Sequence, residues 1–319
     1  MAKKRNRNGN KNGNSNGNRI SPEQHRRLCQ EFARILDSTP VVINGVCTAV
    51  RSRENIRPTV LGREAESFMF VPQAFSFENI DSQGRAFNLG ETVILQDEIN
   101  PFISVLRRNG ILVTAIHNHW LFDDPRLFYV HWESIDRPLD FARKTREALD
   151  VLTDKNVGTR SRGGRMWGRP NSDNGRAAEL CDQFHRILGG DQSFEDGVCM
   201  VMQPRNDIRP TVLGRQARSF LLVPQMFAFE SLSRDGTALC SGETVLLEEE
   251  FNPLATQLRR RGIKITAFHN HWLFDDPKLM YIHFVKIDDP IQFALDVRDS
   301  LRGLGGTRGQ VRRPTQGKR

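Results

Sequence analysis

The chain contains one long sequence pattern twice, at a constant offset of 152 residues. The pairs that show this register include Cys29 and Cys181, Arg57 and Arg209, Glu91 and Glu243, and Pro138 and Pro290. The register holds without a gap over about 120 residues, which indicates tandem duplication of a whole domain rather than a short solenoid repeat. Each copy is long enough to bury a core of its own. We assign residues 21–152 to copy one and residues 177–302 to copy two.

Local patterns within copy one predict a mixed α and β domain. Ser21-Pro22-Glu23 has the N-cap, first-turn proline and first-turn acid of a helix that runs to about Asp37. Alternating apolar runs then predict short strands near residues 45–50, 59–61, 67–71, 74–78 and 92–95. A helix over 102–108, a hairpin and a last helix over 139–152 complete the copy. The predicted fold class is therefore α+β, with two tandem copies of a mostly antiparallel sheet and flanking helices.

Six of the eight histidines lie in one motif that both copies share. His-Asn-His-Trp-Leu-Phe-Asp-Asp-Pro begins at His117 and again at His269, and a further histidine follows at 131 and 283. On a strand, residues two apart face the same side, so His117 and His119 project together. If a hairpin is centred near Asp124, His131 lies opposite His117, at ~5 Å between Cβ atoms, and diagonal to His119, at ~7 Å.

This spacing predicts one three-histidine metal site in each copy. The predicted ligands are His117, His119 and His131 in copy one, and His269, His271 and His283 in copy two. The expected cofactor is a divalent transition metal, most of all zinc, which binds imidazole nitrogen at ~2.0–2.1 Å. Three protein ligands leave one position open, as in catalytic zinc sites. The alternative interpretation is that these are ordinary core or hairpin histidines.

Other duplicated polar residues are candidates for the chemistry around such a site. Asp123 and Asp275 follow the His-x-His pair and are candidate ligands, orienting groups or general bases. Glu91 and Glu243, in Gly-Glu-Thr, are candidates for a base or a fourth ligand, or are simply turn carboxylates. Arg57 and Arg209 begin the segment Arg-Pro-Thr-Val-Leu-Gly-Arg and are candidates for binding an anionic substrate group, or are ordinary surface residues.

The positive charge of the chain is concentrated outside the two copies. The net charge is +8, yet residues 1–20, 153–176 and 302–319 together carry +16, which leaves −8 for the rest. Residues 1–20 are Asn/Gly-rich and predicted to be disordered, residues 153–176 form a predicted linker, and residues 303–319 form a second basic tail. Such segments can bind nucleic acid or an anionic surface without specificity. The basic composition therefore predicts no nucleic-acid-binding fold.

Cysteine usage and the absence of apolar targeting segments suggest a reducing compartment. The five cysteines form no Cys-x-x-Cys motif and lie in apolar patterns, so buried thiols are expected, with a bridge between Cys29 and Cys47 as the alternative. No apolar run is long enough for a transmembrane helix, and the N-terminus shows no secretory signal. We expect a cytoplasmic protein.

The segment from Asp97 to His131 resembles the LppY/LpqO family, a domain family of unknown function. The resemblance rests on Asp97-Glu98-Ile99-Asn100-Pro101, on Gly110 to His119, on Pro125 and on His131, and the second copy carries the same pattern. Two departures are that Asp123 and Asp275 stand where the family usually has Glu, and that the family's lipoprotein signal is missing. The resemblance covers nearly all of each copy but implies no particular reaction.

Two functions follow from these observations. The first is a metal-dependent hydrolase or lyase that acts on a small, oxygen-rich substrate at one three-histidine site per copy. The alternative is a non-catalytic metal- or ligand-binding scaffold whose basic tails attach to an anionic surface or nucleic acid. In either case the paired copies are expected to dock as an intramolecular pseudo-dimer.

Overall fold

A computed structural model describes residues 20–158 and 172–304 of the chain, with side chains from residue 175 onward in the second range. Most of the predicted tails and linker therefore lies outside the described residues. In copy one the helices are α1 (Pro22–Ile35), α2 (Ile99–Arg108) and α3 (Pro138–Leu149), and the strands are β1 (Thr39–Ile43), β2 (Val46–Ser52), β3 (Ile56–Arg57), β4 (Thr59–Val60), β5 (Arg63–Glu64), β6 (Pro72–Glu78), β7 (Ala86–Leu95), β8 (Leu112–His117), β9 (Asp123–Asp124), β10 (Leu127–Asp136) and β11 (Val157–Gly158).

Copy two repeats this order in its described residues, except that the segment equivalent to β3 is not a strand. Its helices are α4 (Ser172–Leu188), α5 (Phe251–Arg260) and α6 (Pro290–Leu301), and its strands are β12 (Asp191–Glu195), β13 (Val198–Pro204), β14 (Thr211–Val212), β15 (Arg215–Gln216), β16 (Pro224–Glu230), β17 (Ala238–Leu247), β18 (Lys264–His269), β19 (Asp275–Asp276) and β20 (Leu279–Asp288). Each copy folds into a six-stranded sheet in which every neighbouring pair of strands is antiparallel, in the orders β1-β2-β6-β7-β10-β8 and β12-β13-β16-β17-β20-β18. The predicted fold class is confirmed.

One face of each sheet is covered by the helices of the same copy. The helix-side core of copy one includes Phe32 of α1, Phe102 of α2 and Phe141 of α3, packed against strand residues such as Trp132. An equivalent core in copy two contains residues of that copy alone. Helix α1 begins as predicted, with Ser21 and Gln24 in a reciprocal capping box and Pro22 in the first turn.

The opposite faces of the two sheets pack against each other. One core cluster joins Trp120, Leu127 and Tyr129 of copy one to residues of copy two such as Val285. The other joins Leu89 of copy one and its neighbours to a larger set from copy two. The order of layers is thus helices, sheet, sheet, helices, with sheet faces stacked as in a β-sandwich.

Reciprocal hydrogen bonds link the copies at the edges of this interface. The carboxylate of Glu78 accepts the backbone N–H groups of Arg218 and Ser219, at 3.0 and 2.9 Å. The equivalent carboxylate of Glu230 accepts those of Glu66 and Ser67, at 2.6 and 3.1 Å. Each copy therefore satisfies backbone donors of the other copy.

Three local predictions differ from the structure. Residues 67–71 are a turn rather than a strand, because the N–H groups of Phe70 and Val71 bond back to the carbonyl of Ser67. Strand β1 was not predicted, and β7 begins six residues before the predicted Thr92. The first residues of the predicted linker pack on copy one, where Asn55 donates to the carbonyls of Thr153 and Lys155.

The preferred prediction of buried free thiols is wrong for four of the five cysteines, and the alternative bridge between Cys29 and Cys47 is what the structure shows. Cys29 on α1 is disulfide-bonded to Cys47 on β2, and Cys181 is bonded to Cys199 in the same way. Only Cys240 is a free thiol, and it is buried. The facing surfaces of the helix and the sheet bring each pair together, which spacing in the sequence alone does not reveal.

Candidate metal centre

The six motif histidines meet in a single cluster where the two sheets face each other. Strands β8 and β18 are sheet edges that end at His117 and His269, whose rings stack with centroids 3.6 Å apart. The chain then crosses toward the other copy. The hydroxyl of Thr114 donates to the carbonyl of His271, and that of Thr266 donates to the carbonyl of His119, both at 2.6 Å.

The remaining four histidines form stacked pairs between the copies. His119 stacks on His283 with ring centroids 3.8 Å apart, and His131 stacks on His271 at 3.9 Å. Each histidine is therefore closer to a histidine ring of the other copy than to the other histidine rings of its own copy. The three histidines predicted for each copy do lie together, but a histidine of the other copy lies among them, so the two predicted sites overlap and are not separate pockets.

The strand register around the histidines also differs from the predicted hairpin. His117 pairs with Tyr129 on β10, whereas His131 pairs with Ala115, so the two histidines are diagonal and not opposite. The physical reason lies in the segment between the strands. Asp123 and Asp124 form β9, which pairs with β4, and so do not close a tight turn.

All but one of the twelve ring nitrogens of the cluster are buried and lack a hydrogen-bond partner among the described residues. His119, His131 and His283 are fully buried with neither ring nitrogen bonded, and the buried Nε2 of His271 is unbonded as well. The half-buried rings of His117 and His269 also lack hydrogen bonds of normal geometry. Buried polar atoms are rarely left unpaired in proteins, so these nitrogens lack partners that a cation would supply.

Two overlapping sets of four histidines fit a metal ion by proximity. The first set is His117, His119, His131 and His271, and the second is His119, His269, His271 and His283. One ligand atom from each member lies within 4.8 Å of the others. A tetrahedral zinc site with bonds of ~2.0–2.1 Å has nitrogens about 3.4 Å apart. Binding would thus draw the rings together by roughly an ångström.

Electrostatics keep these imidazoles neutral. Burial lowers the pKa of all six rings, that of His269 to about 4. A neutral imidazole carries the free lone pair that ligation requires, so no proton must be displaced at pH 7.

Two tyrosines hold the histidines that belong to both sets. Tyr129 stacks on His119 and Tyr281 stacks on His271, each with ring centroids 3.6 Å apart and planes within 3°. Their hydroxyls donate to the carbonyls of Phe70 and Leu222, at 2.7 and 2.8 Å. The sequence analysis missed them, although a signal existed: they are the only two tyrosines in the chain and occupy equivalent positions.

The predicted glutamates lie beside the cluster. Glu91 pairs across the sheet with His131, and Glu243 pairs with His283, with Oε2 of Glu243 4.0 Å from Nδ1 of His283. Burial raises the pKa of Glu91 to about 8 and that of Glu243 well above its ordinary range, with the charge of Glu91 adding to the second shift.

Small neighbours allow this strand geometry. A Cβ on Gly90 would meet the Trp132 ring at 2.1 Å, and a Cβ on Gly242 would meet Phe284 at 2.3 Å. Glycine is therefore required beside each glutamate for the close approach of these rings.

The predicted aspartates have other partners. The two carboxylate oxygens of Asp123 bind Arg126 and the backbone N–H of Leu127, and those of Asp275 bind Lys278 and the N–H of Leu279. They brace the loops between the motif strands, and neither belongs to a set of four close ligand atoms.

The predicted arginines Arg57 and Arg209 are exposed, also outside these sets. The second arginine of each segment instead binds the other copy. Arg63 donates to Ser231 and Thr237, and Arg215 donates to Asn79 and Asp81. This role at the interface was not predicted.

Comparisons with known proteins add little about function. No curated protein matches the chain. Among solved structures, a trimeric bacterial microcompartment shell protein, PduB, is 11% identical, with 72% of this chain and 86% of that chain covered and a TM-score of 0.19. EtuB from Clostridium kluyveri is 10% identical, with 76% and 92% covered and a TM-score of 0.18. At these TM-scores the similarity supports no argument about fold or assembly.

A family match covers most of both copies. The family described as Domain of Unknown Function (DUF1259) matches residues 30–151 and again residues 182–303. The resemblance to the LppY/LpqO family stays a prediction. The chain thus belongs to the family described as Domain of Unknown Function (DUF1259), whose domain it carries as a tandem duplication.

Proposed function

We propose that this chain binds divalent transition metal, zinc first, in one histidine centre that its two copies build jointly as an intramolecular pseudo-dimer. The observation that carries the proposal is the group of buried, unbonded ring nitrogens gathered within ligand distance of one another. Imidazoles whose buried ring nitrogens have no hydrogen-bond partner among the described residues resemble a ligand set more than a hydrogen-bonded core. Glu91 and Glu243 then act on the histidines opposite them, as the carboxylates that orient ligating imidazoles commonly do.

The number of bound ions decides between a structural and a catalytic role for this centre. His119 and His271 belong to both sets. One ion bound by four histidines has no open position, as in structural zinc sites, and would tie the copies together. Two ions share six histidines, three each, and both keep an open position, as in catalytic sites.

The experiment is elemental analysis of the full chain purified without chelators. We expect one or two zinc or similar ions per chain. Exchange of both shared ligands, His119→Ala with His271→Ala, should remove them. His25 and His185 are the two histidines outside the motif. The control variant His25→Ala with His185→Ala should therefore keep its full metal content. A wild-type chain without stoichiometric metal, even after incubation with zinc, would refute the proposal.

A second candidate function is a metal-dependent hydrolase or lyase acting on a small, oxygen-rich substrate. The observation that favours it is the position of Glu91 and Glu243, each directly across the sheet from a cluster histidine, where burial raises their pKa values above those of ordinary carboxyl groups, as in carboxyl groups that transfer protons. A divalent ion supplies the Lewis acid for such chemistry. Glu91→Gln with Glu243→Gln should lower turnover about 10²–10⁴-fold while metal content is kept. Retention of full turnover by this variant would exclude the glutamates as acid or base.

Tails and surface arginines play a secondary part in these functions. The basic segments at both ends and in the linker are suited to attach the chain to nucleic acid or an anionic surface. Arg57 and Arg209 remain candidates for contacts with an anionic group outside the centre. No helix in the described part of the chain is long and apolar enough to cross a membrane.

A further inference from the structure

The face of β10 that carries His131 also carries a buried carboxylate. Glu133 follows two residues later, so its side chain lies on the same side of the strand, with Cα atoms about 7 Å apart. It pairs across the sheet with Leu89, which packs in the core cluster formed mainly by copy two. Glu133 therefore points into the interface between the sheets, next to the histidine cluster.

This carboxylate is fully buried and unbonded. Glu133 has no accessible surface, and neither of its oxygens has a hydrogen-bond partner. The charges that act on it, those of Asp275 and Lys278, belong to copy two. Lys278 is already bound to Asp275 at 2.7 Å. The structure thus leaves a costly polar group uncompensated beside a candidate cation site.

The equivalent position in copy two is apolar. Residue 133 plus the offset of 152 is Val285, which is fully buried in the cluster that includes Trp120 and Leu127. The two halves of the histidine centre are therefore alike in their histidines, tyrosines and neighbouring glutamates, but the first has a carboxylate at this position and the second has none. The His131 side has an extra carboxylate, and the His283 side has an isopropyl group.

We propose that Glu133 makes the two halves of the centre inequivalent, so that the four-histidine set containing His131 binds a divalent cation first and more tightly than the set containing His283. This inference rests on the proposed metal-binding function. A cation bound at His131 compensates the buried carboxylate, which lies two residues along the same face of β10, through space or through the ligand imidazole. The same cation near His283 meets Val285 and gains nothing comparable.

The test is zinc titration of the full chain against a competing chromophoric chelator. In the wild type, His131→Ala should weaken the tightest zinc binding at least tenfold more than His283→Ala, the scale on which carboxylates behind a ligand act. In a Glu133→Val background, which copies the residue of copy two, the two alanine variants should lose equal affinity. Adding Val285→Glu to that background should reverse the order.

Each outcome decides the matter. Equal losses in the wild type, or an order that survives Glu133→Val, would overturn the inference while leaving the joint metal centre intact. A wild type that binds no zinc would overturn both. If Val285→Glu prevents folding, Glu133→Val alone still tests the inference, because valine already fills the equivalent site. Circular dichroism of every variant checks that folding is preserved.

Discussion

At the scale of residues, Tyr129 and Tyr281 show how the shared histidines are held. Each stacks on one imidazole and anchors its hydroxyl on a backbone carbonyl. Such a clamp fixes the direction in which the ring nitrogens point. The clamp serves His119 and His271, the only members common to both ligand sets.

We predict that substitutions can separate the two roles of Tyr129, its stacking on His119 and its hydrogen bond to the carbonyl of Phe70. Tyr129→Phe keeps the stack but loses the 2.7 Å bond to Phe70, so stability to urea should fall by about 1 kcal/mol with zinc affinity nearly unchanged. Tyr129→Leu also loses the stack and should weaken zinc binding about tenfold or more. Chelator competition measures the affinity, and equal affinity of the two variants would contradict the prediction.

A second prediction concerns Glu230 at the edge of the interface. Burial raises its pKa to about 7, above the unfolded value of 4.5. The folded state therefore keeps this proton up to a higher pH than the unfolded state does. The free energy of unfolding falls as pH rises from about 4.5 to about 7. Glu230→Gln should be more stable than the wild type at pH 8, by up to about 3 kcal/mol, and no more stable at pH 4.5.

Urea unfolding at both pH values measures this difference. Glu78→Gln is the parallel variant in copy one. Burial raises the pKa of Glu78 in the same direction, so the stability gain of this variant should also be larger at pH 8 than at pH 4.5. A gain for Glu230→Gln that is the same at both pH values would contradict the prediction.

Single residues also mark the limit of the sequence analysis. The motif identified all six histidines, and the duplicated Gly-Glu-Thr identified the glutamates beside them. No sequence pattern identified Glu133, because this carboxylate is distinguished by its buried surroundings, and those neighbours come from the other copy. The same holds for Arg63 and Arg215, whose partners are also in the other copy.

At the scale of elements, the sequence located most helices and strands but did not predict which strands pair, or in which register. The capping residues placed the start of α1, and β-branched runs located β8 and β10. The register between those strands was predicted two residues out, because β9 leaves the hairpin to pair with β4. A strand pattern states which residues share a face, but not which strand its connecting segment will join.

The disulfides lead to a third prediction. Each bridge ties a helix to the second strand of its sheet over a sequence separation of 18 residues. Cys29→Ser with Cys47→Ser should lower the free energy of unfolding by about 2–4 kcal/mol. Denaturing alkylation without reductant should label Cys240 alone. Labelling of all five cysteines in freshly purified protein would contradict the pairing.

Stable bridges form in oxidising compartments. The expectation of a reducing compartment therefore loses its basis in cysteine usage, and the cytoplasmic location stays a prediction without that support.

At the scale of the whole molecule, each sheet depends on the other. The helices cover one face of a sheet, and in the described part of the chain the second face is covered by the other copy together with loop residues of the same copy such as Phe70. The sequence showed the duplication clearly, yet the sequence analysis predicted two independent three-histidine metal sites. Periodicity within one copy does not say what lies on its second face, and so the jointly built centre could not be predicted.

We predict that copy one does not form a stable folded monomer on its own. A fragment of residues 1–158 would expose the apolar face that includes Trp120, Leu127 and Tyr129. It should aggregate or self-associate, and co-expression with residues 159–319 should restore a soluble 1:1 complex. Light scattering after size-exclusion chromatography measures this. A monomeric, cooperatively unfolding fragment would contradict the dependence of the sheets on each other.

The difference between Glu133 and Val285 has a consequence for the architecture as a whole. In a symmetric homodimer every substitution at the contact appears twice, so a buried acid would destabilise the interface in both subunits. Covalent fusion removes that constraint, since the halves always meet at high effective concentration and neither must be complementary to itself. One half is then free to acquire a charge that the other never has to accommodate.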